Sequence, residues 1–197
     1  LHFTVATEDV YQLHNTSAVM RTCDVFGIQD LHVVEERLGK RVDKEIAMGA
    51  QKWVSLNRYH SITDCIKNLK NSGYQIIATT PHDNSTMLHE FDVSKKSAFF
   101  FGKESDGLSD TVMNAADGFL KIPMYGFTES LNISVSAAII LQSVVSKMKK
   151  SNVNWQLSDA EKFEIEMEWM KKTIKASEEI IERYYSENPN LQSPNSK

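Results

Sequence analysis

Cysteine is scarce in this chain of 197 residues: Cys23 and Cys65 lie far apart, each within an apolar pattern of helical type. Neither shows metal-ligand spacing, so both read as small buried hydrophobes in a reducing compartment, which excludes a disulfide scaffold. Long apolar runs are missing too. Ala137 to Leu141 and Ala98 to Phe101 fall far short of the ~20 residues that span a bilayer, and no basic-then-apolar leader opens the sequence. A cytoplasmic protein with no membrane partner is expected. The six histidines form no HxxxH or HxH pair, so no metal site is expected. "FGKESDG" superficially resembles a phosphate loop, but Glu104 follows Lys103 where a nucleotide loop needs Ser or Thr, and its spacing fails the dinucleotide fingerprint. There is no G-x-S-x-G elbow of an α/β-hydrolase.

What is present is a soluble composition, 41% apolar and 24% charged, in a length that suits one domain with an appendage. The net charge of −4 carries no nucleic-acid footprint by itself, but its distribution is uneven. Ser158 to Glu187 holds nine acidic and five basic residues, so the remainder is balanced. Against that balance stand local basic groups: Arg37, Lys40, Arg41 and Lys44; Lys95 and Lys96; Lys147, Lys149 and Lys150. Each is either solvated surface charge or a contact for an anionic partner.

Short, nearly continuous apolar runs alternate with helix-period segments. "LHFTVATEDV", "DLHVVEE", "KWVSLNRY", "YQIIATT", "SAFFFGKE" and "GFLKIPM" are predicted strands, several patterned as parallel strands buried on both faces. Between them "TSAVMRTCDVFG", "SITDCIKNLKNSG", "GLSDTVMNAADG" and "SLNISVSAAIILQSVVSKMKK" are predicted helices, with Gly27, Gly73 and Gly118 at C-terminal stops. The alternation implies an α/β fold with a mostly parallel sheet flanked by helices, over residues 1–150. Residues 151–157 are a polar connector. Beyond it a long helical pattern, possible to break, carries a stripe of Phe163, Ile165, Met167, Trp169, Met170, Ile174, Ile180 and Ile181, so 151–197 is expected to be a helical extension with a frayed end. The stripe is expected to pack on the domain or on a second subunit. The chain opens directly in a strand, as expected of a segment numbered from inside a longer protein.

Three polar clusters sit within apolar surroundings: "HNTSAVMRTCDVFG" from His14, "FGKESDGLS" from Phe101, and "IPMYGFTESLNISVSAAI" from Ile122. Asn15, Arg21, Glu104 and Asn132 are costly to desolvate, and buried charges must be paired or used. For Arg21 the plain alternative is a structural ion pair with Asp24 or Glu104. For Ser130 and Asn132 it is helix capping, with Ser134, Ala137 and Ala138 as a small-residue packing face.

In this order the three clusters resemble the motifs of the SPOUT methyltransferases, specifically the TrmH/SpoU branch of RNA ribose 2'-O-methyltransferases. "VATEDVYQLHNTSAVMRTCDVFGI" and the tail from "WQLSDAEKF" onward are most similar to those that modify guanosine-18 of tRNA. The family often has Pro before its His-Asn pair, where this chain has Leu13. The resemblance implies a C-terminal trefoil knot, a homodimer with the active site near the subunit interface, and S-adenosylmethionine as cofactor. It implies a cofactor pocket of Thr79, Gly102, Glu104, Gly107, Ile122, Met124, Ser130 and Leu131, and catalytic residues Asn15, Arg21, Glu104, Ser130 and Asn132. It implies tRNA contacts at Arg37, Lys40, Arg41, Lys149 and Lys150. Two other readings stay open: methylation of ribosomal RNA, and an RNA-binding knot protein without turnover.

Overall fold

The protein is described from a computed structural model that covers residues 1–8, 13–35, 47–81, 85–103 and 106–188. In chain order the elements are β1 (Phe3–Glu8), α1 (Leu13–Phe26), β2 (Asp30–Val34), a 3-10 turn (Ala50–Lys52), β3 (Ser55–Tyr59), α2 (Ile62–Asn71) and β4 (Gln75–Thr79). There follow β5 (Thr86–Met87), β6 (Ser97–Phe101), α3 (Asp110–Ala115), β7 (Gly118–Lys121), α4 (Ile133–Lys149), α5 (Asp159–Thr173) and α6 (Ser177–Glu187). Every predicted strand forms, shorter at its ends. The two-residue β5 lacked any apolar run to mark it. Asp9, Val10, Glu36 and Glu104, at the ends of predicted strands, lie outside the described residues, as do the last nine residues.

Among the described residues seven strands make one sheet in the order β3-β2-β1-β6-β4-β7-β5, and every pairing between them is parallel. Burial follows from position. Central β1 and β6 are buried along their whole length, whereas β3 at the edge, "SLNRY", has no buried residue. Side chains alternate between the two faces. Phe3, Val5, Phe99 and Phe101 meet Val19, Met20 and Cys23 of α1 and Ala137, Ile140, Leu141 and Val144 of α4. Ala6, Ile76, Ala98 and Phe100 meet Ile66 and Leu69 of α2 and Val112 of α3 on the other face. "FFF" at 99–101 thus feeds both cores in turn, each ring worth roughly 1.5–3 kcal/mol of burial.

Burial makes both thiols inert: it raises Cys23 strongly and pushes Cys65 up to about 12. Glu8 is also buried, and its Oε2 accepts the backbone N–H of Ser109 at 2.9 Å, tying the end of β1 to the entry of α3.

The described chain forms two compact units, Leu1–Gln156 and Leu157–Lys197. Trp155 packs against the core of the first, so the connector 151–156 goes with the sheet. In the second unit the helical pattern breaks between α5 and α6, where Ala176 adopts a left-handed φ of 58°. A capping box formed by Ser158 and Glu161 starts α5. Neither helix has a buried residue, and Phe163, Met170, Ile174 and Ile180 of the apolar stripe are exposed. Among the described residues no helix is long and apolar enough to cross a membrane, and no group of His, Cys, Asp and Glu could hold a metal ion.

His32 of β2 is buried beside the Tyr59 hydroxyl, 3.2 Å from its Nδ1, and desolvation lowers its pKa from 6.5 to about 4. Above pH 6.5 neither the folded nor the unfolded state protonates it. As pH falls from 6.5 towards 4 only the unfolded state takes the proton, so stability drops, by at most about 1.4 kcal/mol per pH unit. Thermal melts of the wild type should therefore fall more steeply through that window than melts of His32→Gln; equal slopes would contradict this.

Candidate active site

The strands' carboxyl ends carry a cavity. It measures about 720 Å³ and opens beyond β4, β6 and β7, three neighbours in the sheet, where open parallel sheets hold ligands. Thr79 to Pro81 line it from the end of β4, Phe101 to Lys103 and Asp106 to Leu108 from the end of β6, and Leu120, Ile122 and Met124 from β7 onward. Glu129 to Ile133, Ser136 and Ile140 close it from the start of α4.

Backbone contacts set the rim. Thr79 donates its hydroxyl to Phe100 O at 2.7 Å, and Thr80 N donates to Leu120 O at 3.0 Å, binding the ends of β4, β6 and β7 together. Lys103 and Gly107 exchange both backbone hydrogen bonds at 2.9 Å. That bridge brings the chain back over Gly102, where a Cβ would overlap the backbone of Gly107 and Leu108. Gly107 itself has φ +70°, open to glycine at no steric cost.

The third cluster starts α4. Asn132 is its N-cap: Oδ1 accepts from Ser134 N at 2.9 Å and from Ser134 Oγ at 2.6 Å. Ser130 lies two residues before the cap, exposed at the rim, so of the two residues expected to begin the helix only Asn132 does so. The Nδ2 of Asn132 donates to Asn15 Oδ1 at 3.2 Å. Asn15, Thr16 and Ser17 make a buried polar first turn of α1, which packs beside α4. One side-chain bond thus joins two clusters that are 117 positions apart.

Seven residues expected in a cofactor pocket, Thr79, Gly102, Gly107, Ile122, Met124, Ser130 and Leu131, line the same cavity, and Asn132 lines it with them. Glu104 lies outside the described residues, as do Arg37, Lys40, Arg41 and Lys44. Arg21 is exposed on α1 and is not among the residues lining the cavity. Among the described residues it forms no ion pair, so the alternative of a structural pair with Asp24 is not realised. Lys149 and Lys150 are exposed at the end of α4, Lys149 5.7 Å above the Trp155 ring. Lys147 instead donates to Phe91 O at 2.6 Å, a bond internal to the fold. Sequence reasoning missed Lys103, Asp106, Leu108, Leu120 and Glu129 as lining residues. All lie within or beside the motif segments, so strand ends adjoining polar clusters were the available signal.

Sheet, cavity and helix start define an α/β domain with a pocket at the strand ends, lined by backbone turns and by apolar and polar side chains together. The profile of the SpoU rRNA Methylase family matches residues 2–142, and the chain belongs to that family. A tRNA (guanosine(18)-2'-O)-methyltransferase of Borreliella burgdorferi is 37% identical over 174 residues, 88% of this chain and 80% of that protein. The crystal structure of the A. aeolicus TrmH/SpoU tRNA modifying enzyme superposes with a TM-score of 0.78 at 30% identity, covering 88% of this chain and 90% of that one. The methyltransferase AviRb of Streptomyces viridochromogenes, solved in complex with AdoMet, shares the fold with a TM-score of 0.64 at 22% identity, over 76% of this chain and 58% of that one.

The close approach at Gly102 gives a direct test. Gly102→Ala should destabilise the protein by about 1–3 kcal/mol through overpacking, whereas Gly126→Ala, whose Cβ meets nothing within 4 Å, should leave the melting temperature unchanged. Equal melting temperatures for the two variants would contradict the tight bridge.

Proposed function

We propose that the protein transfers a methyl group from S-adenosylmethionine to the ribose 2'-hydroxyl of a guanosine in tRNA, at position 18 of the D-loop. The observation that carries this reading is the meeting of seven expected pocket residues with Asn132 around one cavity, with Asn132 bonded to Asn15 at its edge. The pocket fits the cofactor: Leu108, Leu120, Ile122, Leu131 and Ile140 offer apolar cover, and the glycine-led turn at Gly102 leaves backbone groups to meet a heterocycle's edge. When bound, the cofactor supplies an electrophilic methyl group on a sulfonium that is already a good leaving group.

The chain's own task is then to align the 2'-hydroxyl and ease the loss of its proton. Asn15 and Asn132 orient the ribose, held to each other as described. Arg21 is a poor base, its guanidinium pKa lying above ~12. Its role is to grip the neighbouring phosphate and stabilise the developing alkoxide, the proton leaving to phosphate or water. Glu104 orients Arg21 or Asn132, and Ser130 stands at the rim.

Because Arg21 is exposed and does not line its own chain's cavity, we place it at the cavity of a second subunit in a homodimer. Exposed Val25 on α1 and Leu131, Val135 and Ile139 at the head of α4 are the apolar surface for that contact. The segment from Ile122 into α4 is proposed to thread the trefoil knot implied by the resemblance, since it shares one cavity with the turn at 101–108. Lys149 and Lys150, with Arg37, Lys40 and Arg41, are the proposed phosphate contacts, and the reaction is placed in the cytoplasm with its tRNA substrate.

Radiolabelled methyl transfer to unmodified tRNA transcripts, followed by nucleoside analysis, should yield 2'-O-methylguanosine at position 18. Label confined to ribosomal RNA, or RNA binding without any label, would contradict the reading. Arg21→Ala and Asn132→Ala should each lose at least ~100-fold in turnover. Refolded together, they should regain about a quarter of wild-type activity, because a mixed two-fold dimer contains one intact site. No regain on mixing would return Arg21 to its own chain's site.

A further inference from the structure

The loop between β7 and α4 carries two features that the proposed chemistry leaves unused. Tyr125 and Phe127 are 97% and 107% exposed, far beyond Phe163, the next most exposed aromatic among the described residues at 63%. Two bare rings gain no burial within the fold. They alternate with Gly126 and sit between Met124 and Glu129, both of which line the cavity. Glu129 is exposed, and it places a carboxylate at a mouth that must admit a polyanion. That charge opposes RNA binding unless it meets hydrogen-bond donors.

A nucleobase is one glycosidic bond from its ribose, so a ribose delivered to the cavity leaves its base at this loop. Flat rings offer stacking faces to any base. A carboxylate is selective, because only guanine presents two adjacent N–H donors, N1–H and the 2-amino group, on its pairing edge. Adenine and cytosine present an acceptor in the central position, and uracil flanks its single donor with acceptors. We infer that the loop Tyr125–Glu129 selects the target base, its two rings stacking on the guanine while Glu129 accepts hydrogen bonds from N1–H and the 2-amino group. The inference rests on the tRNA methyltransferase reading above and goes beyond it by assigning the specificity-determining residues.

The test is methyl transfer by the full chain to tRNA transcripts carrying guanosine, inosine or adenosine at the target position. Inosine keeps N1–H and lacks the 2-amino group. Wild type should favour guanosine over inosine by about tenfold or more, and Glu129→Ala should bring that ratio close to one while binding S-adenosylmethionine as wild type does. Tyr125→Ala and Phe127→Ala should each raise KM for tRNA by about tenfold with the base preference and the sedimentation coefficient kept. Full guanosine preference in Glu129→Ala overturns the inference, as does lost cofactor affinity in that variant, which would give the carboxylate to the cofactor. Dissociation of Phe127→Ala into monomers also overturns it, giving the ring to a second copy. A wild type that methylates no tRNA overturns the enzyme reading and this inference together, whereas active wild type with an unchanged ratio in Glu129→Ala overturns the inference alone.

Discussion

The carboxamide of Asn132 is engaged at both ends. Its oxygen caps α4 by accepting from Ser134, and its nitrogen donates to Asn15. A side chain so constrained has one orientation, and that orientation sets where α4 begins. From that starting point Ile133, Ser136 and Ile140 reach the cavity, and Ser130 and Leu131 are held at its rim. The buried Asn15 of α1 accepts the same bond through its side-chain oxygen, so its desolvation is offset where a fully apolar packing would not have offset it.

The parallel sheet supplies the rest of the frame. Three neighbouring strands end at one level, their backbone ends bound together by Thr79 and Thr80, and the turn after β6 folds back so tightly that only glycine fits at position 102. The pocket wall is therefore backbone turns and apolar side chains interleaved with polar ones such as Asp106 and Glu129, while the bonded pair Asn15 and Asn132 sits at its edge. That division suits a reaction in which the reagent brings the leaving group and the protein contributes alignment and electrostatics.

Much of this was legible beforehand, for physical reasons. Strands buried on both faces read as unbroken apolar runs, so β1, β4 and β6 could be found from composition alone. Polar residues at the mouth of a buried helix, as in "SLNIS", marked the start of α4, and the family resemblance carried by the three clusters implied that Thr79, Gly102, Ile122 and Leu131 share one pocket. Less legible were features set by neighbours in space. Nothing local says that Asn132 and not Ser130 caps the helix, since both residue types cap well. Arg21 shares a helix with buried Val19, Met20 and Cys23, yet it is turned to the surface. Glu129 read as part of a motif, and its place at the cavity wall follows from a loop path that periodicity cannot describe.

The proposed role of Asn15 and Asn132 is to act as one unit in positioning the ribose. A double-mutant cycle on the methyl-transfer rate, with Asn15→Ala, Asn132→Ala and the double variant assayed against the same tRNA transcript, measures that coupling directly. If the two side chains act as one unit, the double variant is scarcely slower than the slower single variant. Losses that simply multiply would contradict it, by showing that the two side chains serve catalysis independently.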